Sequence, residues 1–72
     1  MKLKPQYTVT PLLMEIWPID KWSRKIICDC LEKNNVRFEY SSTTMGEPAL
    51  RFSNNKDYEL AYQLIKEIEI EN

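Results

Sequence analysis

Two short runs, "VRFEYSS" at 36–42 and "ALRFS" at 49–53, alternate apolar and polar residues. A period of two belongs to strands with one buried face, and it fixes which side chains share a layer. Val36, Phe38 and Tyr40 fall on one side, with Arg37 and Glu39 on the other. Leu50 and Phe52 fall inward in the second run, with Ala49 and Arg51 outward. Between the runs, "TMGEP" holds the only glycine and reads as a turn. The pair is predicted to be an antiparallel hairpin. A slip of one residue would carry the three rings to the open face, so the character of that face depends on register.

"LLMEIW" at 12–17 alternates in the same way, with Leu12, Met14 and Ile16 on one face and Leu13, Glu15 and Trp17 on the other. Pro18 ends the run, since proline has no N–H for a ladder. Asp20 is placed to cap a helix over 19–33. Stepping 100° per residue, Ile19, Trp22, Ile26, Ile27 and Cys30 share its predicted inner face, with Leu31 at the edge. Lys21, Arg24, Lys25, Cys28 and Glu32 lie opposite, which makes Cys28 the more accessible thiol. Asn34 and Asn35 form a left-handed stop. Trp22 is therefore expected in the core, and Trp17 on the outer sheet face or under the N-terminal arm. Ser53 or Asn54 caps a second helix whose inner face carries Ala61, Leu64, Ile65 and Ile68, flanked by Tyr58. The tail "EIEIE" alternates, but no turn residue precedes it, so it is expected to continue as a fraying helical end. Residues 1–11, with Pro5 and Pro11 around "YTVT", read as an arm or a short edge strand.

The order β-α-β-β-α over 12–72 predicts a single α+β domain. It is a two-layer sandwich, ferredoxin-like without the last strand, with the third strand between the first two. A complete sheet of this type would pair a fourth strand with "LLMEIW". Without one, that strand offers an open edge to a partner or a second copy, unless residues 7–10 fold back onto it.

Size and composition narrow the functions. At 72 residues only about 60% of the unfolded chain's surface can be buried, which leaves little room for a private catalytic cavity. There is no histidine, which removes the commonest general acid–base residue and every His-containing metal set. "CDC" lacks the further ligands a zinc site needs. A single glycine gives no phosphate-cradling loop. No enzyme activity and no cofactor are therefore expected. Net charge is −1, so no overall basic field addresses nucleic acid. The charge is uneven: residues 57–72 carry Lys66 against five acids, and the remainder is net positive. The start has no apolar signal-like core, no run is long enough for a membrane helix, and two cysteines without secretory context suit a reducing cytoplasm.

The segment "ALRFSNNKDYELAYQLIKE" resembles the closing strand–cap–helix of small phage-encoded proteins of ferredoxin-like type. The lysine- and isoleucine-rich composition agrees with an AT-rich gene of that kind. The resemblance implies an accessory role, such as binding and inhibiting a host or defence protein, and carries no functional residue across. The expected function is that of a small non-enzymatic protein-binding module. Leu13, Trp17, Arg37 and Arg51 are its exposed candidates, with Glu67 on the acidic helix second. The alternatives are a nucleic-acid-binding domain, disfavoured by a face with one ring and balanced charge, and a structural homodimer component.

Overall fold

The computed structural model describes residues 2–42 and 48–71; the turn expected around Gly46 lies outside them. Among the described residues, six strands and two helices run in the order β1 (Lys2–Leu3), β2 (Tyr7–Thr10), β3 (Glu15–Pro18), α1 (Lys21–Lys33), β4 (Glu39–Ser42), β5 (Pro48–Arg51), α2 (Asn55–Lys66) and β6 (Ile70–Glu71), with a 3-10 turn over Pro11–Leu13. The main sheet is antiparallel between neighbours, in the order β2-β3-β5-β4, and β1 pairs with β6 in a separate two-stranded ribbon. The α+β sandwich is as predicted, with the hairpin's second strand between the other two.

Register settles the question of phase. Ile16 faces Leu50, and Tyr40 faces Leu50 from the other side. Ile16, Leu50, Phe52 and Val36 are buried with Ile27 and Leu31 of α1 and Tyr58, Ala61 and Ile65 of α2. Phe38 packs against this core from its margin. Tyr40 has the inward phase but sits on edge strand β4, so its ring stays exposed while its hydroxyl lies 3.5 Å from Cys28 Sγ. Both helices carry the expected caps. Asp20 Oδ1 accepts from Ser23 N–H at 2.7 Å, and Asn54 Oδ1 from Asp57 N–H at 2.8 Å. Asn35 takes the left-handed conformation, φ 59°, past the end of α1.

Three expectations are corrected. "LLMEIW" is not one strand: Pro11–Leu13 forms the 3-10 turn, and pairing begins only at Glu15. That turn folds β2 back onto β3 through four residue pairs, Tyr7 to Pro18 through Thr10 to Glu15. Of the two arrangements that the sequence leaves for this edge, open or covered by residues 7–10, the structure has the second: the chain's own N-terminal strand closes it and stands where the missing last strand of the ferredoxin-like sheet would be. The tail is not helical past Lys66, because Ile70 and Glu71 find backbone partners in Leu3 and Lys2. Most consequential is α1, which is turned by roughly one residue step, ~100°, from the predicted face. Its buried residues are Ser23, Ile27, Cys28 and Leu31, whereas Trp22 is 42% exposed. The reason lies at Ser23. Its hydroxyl oxygen accepts from the backbone N–H of Gln6 at 2.8 Å, so the N-terminal segment approaches α1 where only a small side chain fits. The cysteines exchange roles accordingly, Cys28 being buried and Cys30 half-buried.

Candidate protein-binding surface

The end of the sheet where β2 turns into β3 is built by "TPLLME". Pro11 opens the 3-10 turn, where its missing N–H costs nothing. Met14 N–H then donates back to Pro11 O at 3.2 Å. Closing so tight a reversal forces Met14 to φ 53°, ψ 47°, the left-handed region, which a non-glycine residue occupies at a cost of about 1–2 kcal/mol. Packing offsets that cost. The Met14 side chain lies against the core, and its carbonyl accepts from Phe52 N–H at 3.0 Å. With Met14 pinned, Leu12 and Leu13 are pushed into solvent, 99% and 55% exposed. Beside them Val9, Thr10 and Pro11 complete an apolar hollow of about 350 Å³.

Next to the tip lies a row of charge across the outer sheet face. Glu15 faces Arg51, and Arg51 faces Glu39. Glu15 is 3% exposed although no helix covers this face. Its Oε2 accepts from Arg51 Nε at 2.9 Å and lies 2.8 Å from Nη2, while Oε1 accepts from Trp17 Nε1–H at 3.1 Å. Continuing the β3–β5 register sets Trp17 opposite Ala49, whose small side chain is also buried. Trp17 is therefore half-buried and engaged with its own sheet, so local packing occupies much of it. A larger hollow, about 580 Å³, wraps the start of β4 between Arg37, Phe38 and Tyr40, with Glu32 and Arg51 on its walls.

Of the five candidate residues, Leu13, Arg37 and Arg51 come together at this end of the molecule, and Trp17 stands one row further along the sheet. Leu13 is not on the outer sheet face but on the turn, and Arg37 precedes β4 instead of lying within it. Glu67 is apart from them, since it caps the C-terminal end of α2 in the helix layer. Leu12 escapes sequence reasoning, because "LLMEIW" taken as one run puts it on the face of Met14 and Ile16. The signal that could have found it is "YTVT" and "EIWP" separated by the four residues "PLLM", which reads as a hairpin with a proline-led connection.

Among the described residues no group of three or more Cys, Asp or Glu is placed to hold a metal ion, and no helix is long and apolar enough to cross a membrane. Comparison with protein-family models, with curated proteins and with solved structures finds no match to this chain.

Proposed function

We propose that the protein is a non-enzymatic binding module that engages a protein partner through the end of the sheet carrying Leu12 and Leu13. The observation that carries this reading is Leu12, an aliphatic side chain held almost wholly in water by a turn that needs a left-handed methionine. Backbone strain of this kind persists where the surrounding structure over-determines it, and it concentrates at functional sites. Burying one leucine against a partner is worth about 1.5–3 kcal/mol. Arg37, in the neighbouring hollow, supplies a charge for orientation. A nucleic-acid role is less well supported, because the Trp17 ring on the outer face is tied to Glu15 and Arg51 is matched by carboxylates on both sides. The resemblance of the closing strand–helix unit to phage-encoded proteins names the partners to try first, a host or defence protein. A reducing cytoplasm suits the two free thiols.

The test compares the wild type with the double variant L12S/L13S as bait, using Leu60→Ser as the control for an exposed leucine elsewhere. A partner retained stoichiometrically by wild type and by Leu60→Ser but lost with L12S/L13S, at unchanged melting temperature, supports the assignment. A partner retained equally by all three, or retention of RNA that falls steeply with salt, overturns it.

A further inference from the structure

The main sheet ends on β4, and hydrogen-bond phase fixes which groups that edge presents. Phe52 N–H, just past β5, donates to Met14 O at 3.0 Å. Leu50, two residues earlier, therefore bonds to β3 in the same phase, while Ala49 and Arg51 bond to β4, opposite Ser41 and Glu39. Pro48 agrees, since it has no N–H to give and stands opposite Ser42, out of step with Ser41. Phe38 and Tyr40 then turn their N–H and C=O groups away from β5. Among the described residues no strand pairs with that side. The alternation also carries on ahead of β4: Val36 is buried, Arg37 exposed, Phe38 half-buried and Glu39 exposed.

Residues 36–40 read apolar, positive, apolar, negative, apolar, an order complementary to its own reverse. A two-fold axis pairs two copies of such a strand antiparallel, and a ladder forms only where the outward groups of Phe38 and Tyr40 meet their like. Centred on Glu39, the pairing would set that carboxylate against itself where opposing side chains come closest. Centred on Tyr40, it would set Glu39 against Ser41. Centred on Phe38, the two Phe38 backbones exchange hydrogen bonds, and Arg37 of each copy stands opposite Glu39 of the other, twice over. Among the described residues neither Arg37 nor Glu39 makes an ion pair within its own chain. The charge row of the outer face would run on across the boundary, from Glu15, Arg51 and Glu39 of one copy to Arg37 of the next. The hollow of about 580 Å³ wraps this same segment and leaves room for the facing Phe38 and Tyr40 side chains.

We propose that the chain self-associates edge to edge: β4 of one copy pairs antiparallel with β4 of a second about a two-fold at Phe38, drawing Arg37 and Phe38 into the ladder, with Arg37 of each copy opposite Glu39 of the other. The occupant is a second copy because, of these symmetric registers, this one meets the hydrogen-bonding groups of the edge and both of its charges together. β5 lies between this edge and the strand that follows the Leu12–Leu13 tip, and the proposal does not rest on that tip.

The experiment is sedimentation equilibrium of the full chain at low salt, between about 1 and 200 µM, on wild type, Arg37→Glu, Glu39→Arg and an equimolar mixture of the two variants, with circular dichroism confirming each fold. Wild type is expected to dimerise. Each single reversal sets like charges together at both symmetric contacts and raises the dissociation constant about tenfold. Mixing the two variants restores attraction at both contacts, and the mixed pair forms within about threefold of the wild-type affinity. A folding defect in either variant would not be cured by mixing. In wild type, the Phe38 and Tyr40 amides gain protection from hydrogen exchange as concentration rises. A wild type that stays monomeric to about 200 µM overturns the proposal. So does a dimer indifferent to both reversals, a mixture no tighter than its components, or protection gained on the β2 edge, at Tyr7 and Val9, instead of at Phe38.

Discussion

Glu15 and Arg51 allow a sharp test of what holds the outer face of the sheet. The perturbation is Arg51→Met, which keeps the length of the side chain and removes both of its contacts with Glu15 Oε2. Glu15 then keeps only the Trp17 indole as a donor, at a place where its side chain is 4% exposed. Stranding one partner of a fully buried ion pair costs about 3–5 kcal/mol. Here the Arg51 side chain is itself 52% exposed, so water can enter where the guanidinium stood, and the expected cost falls to about 2 kcal/mol. Glu15→Met removes the acid and leaves the half-exposed Arg51 to water, and should cost about 1 kcal/mol. Replacing both residues, E15M/R51M, removes the stranded charge along with its partner and should be more stable than Arg51→Met alone. Urea unfolding of the four proteins at pH 7, followed by circular dichroism, gives the cycle directly. The reasoning fails if Arg51→Met costs less than about 0.5 kcal/mol, the range of an ordinary surface pair, or if the double variant is less stable than that single one.

Other predictions concern the helix ends and the thiols. Asn35 at φ 59° should be replaceable by glycine with a gain of up to about 1 kcal/mol, while Asn35→Ala should lose about 1 kcal/mol; thermal melts decide the order. The Asp20 carboxyl is held below its ordinary value of 3.8, first by the Ser23 backbone N–H and then by the Ser23 hydroxyl. A lowered carboxyl contributes stability present above its unfolded value and lost as pH falls through the folded one, so its share disappears below about pH 4. Asp20→Asn should flatten that acid limb, and an unchanged pH–stability profile would contradict the cap. Burial raises both thiols, and Cys28 is the more enclosed, beneath the Tyr40 hydroxyl. Native protein at pH 8 should therefore be alkylated first at Cys30, and Tyr40→Phe, which keeps the ring but removes a hydroxyl that favours the Cys28 thiolate, should slow labelling of Cys28 further; peptide mapping that finds Cys28 modified first would reverse the assignment of α1's buried face.

Much of the sheet was legible because period two leaves few choices once a register is fixed. Leu50 and Phe52 could not both turn inward without setting Arg51 outward, and the same parity places Ile16 inside and Trp17 outside. The helix was less legible because apolarity alone picks the wrong side. Ile19, Trp22 and Ile26 outweigh Ser23 and Cys28 on any hydrophobic scale, yet burial follows the contacts that each position must make. Ser23 is inside because Gln6 needs an acceptor, and Cys28 because the Tyr40 ring leans over it. Neither partner lies within four residues, so no local window contains the information. The same limit hid the fourth strand and the β1–β6 ribbon, whose pairings join Tyr7 to Pro18 and Lys2 to Glu71. The candidate surface was half legible. Arg51 follows from strand phase, whereas Arg37 precedes β4 and Leu12 depends on where a turn begins.

A small domain must leave some apolar surface in water, so exposure alone argues for nothing. Leu60 on α2 is of that ordinary kind, a single leucine among polar neighbours. Tyr40 is accounted for by its contact with Cys28. Leu12 and Leu13 are arranged differently: they are adjacent and are lifted outward by a conformation that costs energy to hold. Two adjacent leucines held in water offer a partner a compact apolar knob of modest area, and a chain of this size can provide little more without giving up its own core.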